Sequence, residues 1–338
     1  MKKTKTILYI GNNLSEKTKY KISMDILSEN LKNKDFIVLK YSNIKNKILR
    51  LLHMIFGIIT KFKKSDYVLI DTYSTVNFYY AFVISQICRI LKLKYIPILH
   101  GGNLPNRLLK NPTLSNLIFK NSYINIAPSK YLEVAFKKHK YEVELIPNTI
   151  NILDYPYQHR KKLQPNLFFV RAFAKIYNPC MAIEVLKELQ KEYPTAKLCM
   201  VGPDRDGTLK EVSSIIKKYN LEESVEITGV LTKKEWHKKS RNFDIFINTT
   251  NVDNTPISII EAMALGLPVV STKVGGIPYL IDDKETGLLV GTNDVKTMVF
   301  EIKKLLQGSY NQLARNARVQ VEGYDWNIVR TKWIKILE

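Results

Sequence analysis

The side chains best suited to chemistry are concentrated between positions 248 and 278, which read NTTNVDNTPISIIEAMALGLPVVSTKVGGIP. At the centre of this segment, Thr255-Pro256 is typical of a helix start, with Thr255 as the N-cap and Pro256 as the first helical residue. The first amides of a helix lack intrahelical acceptors and carry the positive end of the helix dipole. The backbone at Ile257 and Ser258 therefore predicts a diphosphate-binding site.

Two carboxylates accompany this predicted helix start. Glu261 lies one turn inside the helix, where it can accept two hydrogen bonds from a vicinal diol such as a ribose. Asp253 lies eight residues earlier, in the loop, and can reach a second polyhydroxylated group beyond the phosphates. The alternative interpretation is an ordinary capped helix whose neighbouring charges are incidental.

Cations and a histidine follow other predicted strands, at the ends where ligands of parallel sheets bind. Arg171 comes directly after the apolar run 167–170, and Lys175 comes four residues later; together they can neutralise a diphosphate that leaves. His100 ends the run 95–99 and is followed by two glycines. A histidine there is expected to face a ligand, although a purely structural histidine is the alternative.

This pattern resembles the retaining glycosyltransferases of family 4, which have the GT-B fold. In that family two acidic residues separated by seven positions precede an EAMAxGxPVV run; here Asp253 and Glu261 have that spacing, and residues 261–270 read EAMALGLPVV. The segments NTP at 254–256 and GGIP at 275–278 also match. The chain departs from the family at Asp253, where glutamate is commoner, and at Lys175, which comes earlier than usual.

The resemblance implies an α/β fold of two facing, doubly wound (Rossmann-like) parallel-sheet domains with an interdomain cleft. It also implies transfer of a sugar from a UDP- or GDP-sugar to an acceptor hydroxyl, with retention of configuration and without a metal or cofactor. The catalytic residues would be His100, Arg171, Lys175 and Asp253. The donor would be bound by Gly11, Gly202, Thr255, Pro256, Ile257, Ser258 and Glu261. The acceptor would be a saccharide or a lipid-linked glycan of polysaccharide or glycolipid assembly.

Twelve short apolar runs separated by helical periodicity are typical of parallel strands buried on both faces. The predicted strands cover 6–11, 36–40, 67–71, 95–99, 123–127, 143–146, 167–170, 197–201, 225–228, 244–247, 268–271 and 287–290. The proline-punctuated stretch 147–165 predicts a linker. We therefore expect an acceptor-side domain over 1–150, a donor domain over 151–324 and a closing C-terminal helix over 325–338, for which an ordinary terminal helix is the alternative.

The chain of 338 residues is strongly basic, with 52 Lys and Arg against 31 Asp and Glu and a net charge of +21. The excess is uneven, because residues 1–150 contain 25 Lys and Arg against 9 Asp and Glu. A positive field of this kind favours an anionic partner, and an anionic membrane surface is the expected one. A compositional bias towards lysine that merely solvates the surface is the alternative.

Residues 44–64 predict a basic amphipathic helix. Its apolar positions are Ile44, Ile48, Leu51, Leu52, Ile55, Ile59 and Phe62, and its basic positions are Lys45, Lys47, Arg50, Lys61, Lys63 and Lys64. Such a helix can lie in a membrane interface. The alternative is a helix that packs into the core with a basic outer face.

Other function classes fit the sequence less well. No secretion signal or membrane-spanning segment is predicted, and three widely spaced cysteines fit a reducing compartment, so the expected location is cytoplasmic or peripheral at the inner face of the membrane. A nucleic-acid-binding protein would use the positive charge, but no binding module is recognisable, and no nucleic-acid partner is expected. A nucleotide-sugar epimerase on the same fold remains an alternative.

Overall fold

The computed structural model describes residues 4–13, 23–32 and 36–338, which form two compact units. The first unit runs up to Thr149 and takes in Trp326–Glu338, and the second is Ile150–Asp325. Each unit contains one six-stranded parallel sheet. The predicted pair of doubly wound α/β domains is therefore confirmed.

The first unit is built on strands of three, five or six residues that are mostly buried. They are β1 Thr6–Ile10, β2 Ile37–Tyr41, β3 Tyr67–Thr72, β4 Tyr95–Leu99, β5 Asn125–Ala127 and β6 Val143–Leu145, in the spatial order β2-β1-β3-β4-β5-β6. The helices between them are α1 Ser23–Lys32, α2 Lys47–Lys61, α3 Asn77–Ile90, α4 Leu104–Lys110, α5 Pro112–Phe119 and α6 Lys130–Lys138. Alternation along β1 sends Ile7 and Tyr9 to one core and Leu8 and Ile10 to the other.

The second unit repeats this architecture. Its strands are β7 Asn166–Val170, β8 Lys197–Val201, β9 Val225–Gly229, β10 Ile245–Asn248, β11 Val269–Thr272 and β12 Leu288–Val290, in the order β12-β11-β10-β7-β8-β9. Its helices are α7 Pro179–Gln190, α8 Thr208–Lys218, α9 Lys233–Ser240, α10 Ile257–Ala264, α11 Val295–Leu306 and α12 Leu313–Glu322. Strands β8 and β9 follow β7 on one side of the sheet, whereas β10, β11 and β12 follow on its other side. The topological switch point therefore lies between β7 and β10, and open α/β sheets bind ligands at such points.

From Ile150 onward, the predicted linker is part of the second unit. Arg160 shows why, because its side chain is only 4% exposed and donates to backbone carbonyls of Ser240, Phe243 and Gly266, at 3.1, 2.9 and 3.0 Å. A guanidinium with these acceptors fixes the chain onto the body of the unit.

The last helix, α13 Trp326–Leu337, belongs to the first unit. Val329, Trp333 and Leu337 are buried in the same core as Ile7 and Tyr9. Lys5 Nζ also donates to the Leu337 carbonyl at 2.9 Å. The chain therefore returns to its first unit after completing the second.

Helix α2 begins later than predicted and turns a different face inward. Asn46 Oδ1 accepts hydrogen bonds from the amides of Ile48 and Leu49 at 3.0 and 3.2 Å, which fixes the N-terminus at Lys47 rather than Ile44. Arg50, predicted on the basic outer face, is instead buried. The outward side carries the exposed apolar residues Ile48, Leu49, Leu52, Phe56 and Ile59. Over the described ranges, no helix is long and apolar enough to cross a bilayer.

Candidate functional site

Helix α10 spans Ile257–Ala264, and its N-cap lies one residue later than the sequence predicts. Its N-cap is Pro256, whose backbone is extended (φ −65°, ψ 113°) and whose carbonyl accepts from the amides of Ile259 and Ile260 at 3.1 and 3.4 Å. The proline ring fixes φ and leaves ψ free, so proline can stand just before the helix as well as in its first turn. The prediction of Thr255 as the N-cap and Pro256 as the first helical residue is therefore wrong, and Ile257 starts the helix.

Two hydroxyl groups at this helix start lack a hydrogen-bond partner among the described residues. Thr255 Oγ1 and Ser258 Oγ are both buried, and Ser258 as a whole is 8% exposed. Most buried polar side-chain atoms have a partner, so a pair without one indicates a place for a ligand. Both hydroxyls can donate to phosphate oxygens, as the first amides of α10 can.

Arg171 and Asp253, predicted separately, form an ion pair in the structure. Their side chains are 17% and 14% exposed, and the guanidinium also lies over the Tyr177 ring at 4.5 Å from its centroid. Burial lowers the pKa of Arg171 to about 10, and the group stays charged at neutral pH. Arg171 Nε is buried and has no hydrogen-bond partner among the residues that the structure describes. A fixed cation with an unused donor suits an incoming anion.

Three glycines allow the backbone near this pair to pack closely. A side chain at Gly202 would collide with the carbonyl of Arg171, and one at Gly275 would collide with the carbonyl of Asp253. Gly276 donates its amide to the same Asp253 carbonyl at 3.0 Å. Gly202 and the GGIP segment therefore fix the positions of Arg171 and Asp253, since only glycine fits there.

Glu261 is 5% exposed and already has two partners. Its Oε1 accepts from the Tyr155 hydroxyl at 2.7 Å and pairs with Lys233 Nζ at 2.8 Å. Lys233 also lies over the Tyr155 ring, 5.3 Å from the centroid. Neither partner was predicted from the sequence. For Lys233 the available signal was its place at the start of the helix after the Gly229 turn, and for Tyr155 there was none.

His237 packs against Tyr155, and its environment leads us to expect that the stability of the fold depends on pH. Its ring lies 4.7 Å from that of Tyr155, and burial, reinforced by Lys233, lowers the pKa of His237 to about 4. The ordinary value is about 6.5, so between these two pH values the unfolded chain binds a proton that the folded chain does not. The free energy of unfolding of the wild type is therefore expected to decrease as the pH is lowered through this window.

The His237→Gln variant removes this proton uptake, so its stability is expected to fall less on acidification from about pH 6.5 to about pH 4. Urea unfolding of both proteins across the window measures the difference. The exposed His159, replaced in the same way, is the matched control. Parallel pH curves for wild type and His237→Gln would contradict the prediction.

Lys175 contacts its surroundings through the backbone. Its amide donates to Asp206 Oδ2 at 3.0 Å, and its carbonyl accepts from Asn251 Nδ2 at 3.3 Å. Its side chain is exposed. The structure thus brings Arg171 and Asp253 together and leaves the role of Lys175 as a prediction.

Asp204 and Asp206, in the loop after β8, accept hydrogen bonds within the turn that they form. Asp204 Oδ1 accepts from the Gly207 amide at 3.0 Å, and Asp206 accepts from the amide and the hydroxyl of Thr208. In the part of the chain that the structure describes, His, Cys, Asp and Glu side chains do not gather in threes as a metal would require. The expectation of a metal-independent reaction stays a prediction.

In the first unit, His100 lies at the carboxyl end of β4 as predicted, next to an aspartate that the sequence reasoning missed. His100 Nε2 is 2.8 Å from Asp71 Oδ1 on β3. Gly11, at the end of β1, lies against the same carboxylate, which leaves no room for a side chain at that position. The signal for Asp71 was an acidic residue inside the apolar run YVLIDT.

In comparison with known proteins, the second unit matches a family. Residues 155–320 match the family described as glycosyl transferases group 1. The sulfoquinovosyl transferase SQD2 of Arabidopsis thaliana is 31% identical over 156 residues, 45% of this chain and 29% of that protein. The putative colanic acid biosynthesis glycosyltransferase WcaL of Escherichia coli (strain K12) is 31% identical over 159 residues, 44% of this chain and 38% of that protein. The match thus spans less than two fifths of either relative's length.

A solved structure is similar over nearly the whole chain. Anabaena Alr3699/HepE, in a crystal structure with UDP-glucose, has a TM-score of 0.75 and 16% identity, covering 98% of this chain and 99% of that one. At this identity the likeness shows the fold. The chain has the GT-B fold that the sequence predicted.

Proposed function

We propose that the chain, whose residues 155–320 match the glycosyl transferases group 1 family, moves a sugar from a nucleotide-diphosphate donor to an acceptor hydroxyl. The acceptor is a saccharide or a lipid-linked glycan of surface polysaccharide assembly. The name of the similar WcaL, which refers to colanic acid biosynthesis, supports this acceptor class. The donor is a UDP- or GDP-sugar, and the UDP-glucose bound to HepE supports a ligand of this class.

The observation that carries the proposal is the pair of unpartnered hydroxyls at the start of α10. Thr255 Oγ1 and Ser258 Oγ are buried beside helix amides that also need acceptors. A diphosphate supplies several acceptor oxygens in a compact group, so it satisfies these donors together. Pro256 and Ile257 contribute the backbone that sets the geometry.

Arg171 and Asp253 exchange partners when the donor binds. In the described structure the carboxylate of Asp253 pairs with the Arg171 guanidinium, at a position that a phosphate oxygen can take. A diphosphate that takes over Arg171 frees Asp253 to accept hydrogen bonds from hydroxyls of the donor sugar. Gly202 packs against the Arg171 carbonyl, and Lys175, four residues after Arg171, adds a second positive charge for the leaving group.

Glu261 binds the ribose of the donor. Tyr155 and Lys233 hold its carboxylate through Oε1. A carboxylate has about four acceptor positions in its two oxygens, so it can keep these partners and still accept a ribose hydroxyl. Lys233 offers a donor to the same ligand, because its side chain is half exposed.

The reaction is a substitution at the anomeric carbon with retention of configuration, and it needs no metal or cofactor. The acceptor oxygen bonds to the anomeric carbon while the bond from that carbon to the diphosphate oxygen breaks. The electron pair leaves with the nucleoside diphosphate, whose phosphate oxygen takes the acceptor proton. Attack from the face that the phosphate leaves gives retention, and Arg171 stabilises the charge that develops.

Incubation with labelled UDP- and GDP-sugars and a mixture of glycan acceptors tests this function. We expect nucleoside diphosphate release that depends on acceptor and matches the amount of glycosylated product. Release without acceptor, with an altered free sugar, would indicate an epimerase instead. No turnover of any donor would contradict the proposal.

We further propose that the first unit binds anionic membrane surfaces through the outward face of α2. The residues Ile48, Leu49, Leu52, Phe56 and Ile59 of this face are each more than half exposed. Five lysines lie at the two ends of the helix, at positions 45, 47, 61, 63 and 64, and no acidic residue occurs between positions 36 and 65. An apolar face with cations at both ends suits insertion among anionic headgroups.

A variant with serine at Leu52, Phe56 and Ile59 is expected to bind anionic vesicles about 100-fold more weakly, at about 1 kcal/mol for each side chain that leaves the interface. Sedimentation with phosphatidylglycerol and with phosphatidylcholine vesicles measures binding and its charge dependence. Phe300→Ser, which changes an apolar residue of similar exposure in the second unit, is the control. Equal sedimentation of wild type with both lipids would contradict the proposal.

A further inference from the structure

The pair of Asp71 and His100 is built into the sheet of the first unit. Asp71 is the second-last residue of β3, and β3 and β4 are in register with Asp71 beside Ile98 and Thr72 beside Leu99. His100 continues this ladder, because its amide donates to the Thr72 carbonyl at 2.9 Å. The carboxylate and the imidazole therefore meet at neighbouring carboxyl ends of two rigid strands.

Several groups hold the two side chains in place. Asp71 Oδ1 lies 2.8 Å from His100 Nε2 and accepts from the hydroxyl of the fully buried Tyr9 at 2.9 Å. Burial and the charge of Asp71 raise the pKa of Tyr9, so its hydroxyl stays a donor. The Tyr73 ring stacks on the imidazole, with centroids 5.1 Å apart and planes at 24°. The His100 and Asp71 side chains are only 9% and 4% exposed.

This arrangement decides which imidazole nitrogen carries the hydrogen. An ionised carboxylate only accepts hydrogen bonds, and the Tyr9 hydroxyl already donates to the same oxygen. The nitrogen facing Asp71 must therefore donate, which places the hydrogen on Nε2. In the neutral ring the other nitrogen, Nδ1, then has a lone pair and no hydrogen.

We propose that Asp71, held by Tyr9, is a positioning residue that fixes His100 as the Nε2–H tautomer, so that Nδ1 accepts a hydrogen bond from a substrate hydroxyl. A phosphate diester oxygen has no hydrogen to give, so the partner is a hydroxyl of the sugar or of the acceptor rather than the diphosphate. The inference rests on the proposed function for the identity of the substrate, and on the geometry of this unit for the tautomer.

The tautomer is measured without any substrate. Long-range proton–nitrogen NMR of protein labelled with ¹⁵N-histidine distinguishes the two ring nitrogens, and the signal missing from His100→Asn identifies His100. At about pH 8 we expect Nε2–H in the wild type. In Asp71→Asn the side-chain amide can donate to Nε2, so we expect a shift towards Nδ1–H. Nδ1–H in the wild type, or Nε2–H unchanged in Asp71→Asn, overturns the proposal.

Kinetics then separate positioning from folding. We expect Asp71→Asn to lower kcat/KM roughly 10- to 100-fold, and Tyr9→Phe, which keeps the Asp71–His100 contact, to lower it less. UDP or GDP binding to the second unit is expected to stay unchanged in both. A rise in KM for the donor identifies the sugar hydroxyl as the partner of Nδ1, and a rise in KM for the acceptor identifies the acceptor hydroxyl. Wild-type kinetics in Asp71→Asn would overturn the proposal.

The outcomes for this inference and for the proposed function differ. A wild-type chain that turns over no donor, while His100 is the Nε2–H tautomer and shifts in Asp71→Asn, refutes the transferase function and supports the tautomer assignment. A chain that transfers sugar with His100 in the other tautomer does the reverse.

Discussion

Arg171→Ala is expected to lower kcat by about 10²- to 10³-fold, the usual consequence of removing one preorganised donor from a developing negative charge. The structure holds Arg171 in place through the Asp253 ion pair and the Tyr177 ring. Its effect is expected in turnover more than in donor KM, because the leaving diphosphate gains charge only as the bond breaks. Steady-state rates at saturating donor measure it.

The control must separate lost chemistry from lost stability. Arg171→Ala leaves the mostly buried carboxylate of Asp253 unpaired, which is expected to destabilise the fold by about 1–3 kcal/mol. The double variant Arg171→Ala/Asp253→Asn removes that charge and is expected to regain melting temperature. Because Asp253 is itself proposed to bind the donor sugar, the turnover of the double variant is compared with that of Asp253→Asn alone, and we expect it to be lower. A double variant as active as Asp253→Asn would show that Arg171 acts only through the fold.

Glu261→Gln is expected to lower kcat/KM for the donor by about 30- to 1000-fold, equivalent to about 2–4 kcal/mol of hydrogen bonds to a charged acceptor. The amide keeps the size of the side chain but loses the charge that pairs with Lys233 and attracts the ribose hydroxyls. The loss is expected in donor KM, since the ribose does not react. Initial rates over a range of donor concentrations measure it.

A 2′-deoxyribose donor gives a sharper control. Wild type is expected to discriminate against it, and Glu261→Gln is expected to lose most of that discrimination, because the partner of the missing hydroxyl is gone. Lys233→Ala is the matched variant, since it breaks the ion pair and leaves the Tyr155 hydrogen bond in place. Unchanged discrimination in Glu261→Gln would place the ribose elsewhere.

The fold followed from the sequence because its signal is local and repeated. Each of the twelve predicted runs overlaps an observed strand, with bounds that differ by at most two residues. The largest difference is at β5, predicted from Tyr123 and observed from Asn125, where the Tyr123 ring lies against Tyr67 instead of continuing the strand. Short buried parallel strands are apolar throughout, so their number is easier to predict than their ends.

The orientation of α2 was less predictable, for a physical reason. The helix is apolar on two sides, so periodicity alone does not say which side faces the sheet. Burial of Arg50 decides it: its guanidinium donates to the Ile44 and Lys45 carbonyls and to Asn12 Oδ1, at 2.7, 2.8 and 2.9 Å. Those acceptors lie outside the helix, and a helical pattern contains no information about them.

The candidate site was also predictable only in part. The positions of Arg171, Asp253, Glu261 and His100 at strand and helix ends followed from motif spacing. Their partners did not, because Tyr155 lies 106 residues from Glu261 and Asp71 lies 29 residues from His100. Contacts of that range depend on which strands become neighbours, and sequence spacing does not contain this.

The most direct test of the account is calorimetric titration of UDP and of GDP into the wild-type chain and into Arg171→Ala. The account predicts one-to-one binding of at least one of the two nucleotides to the wild type, and binding at least 10-fold weaker in Arg171→Ala. Binding of neither nucleotide to the wild type, or equal affinity in the variant, would contradict a diphosphate site at Arg171 and the start of α10.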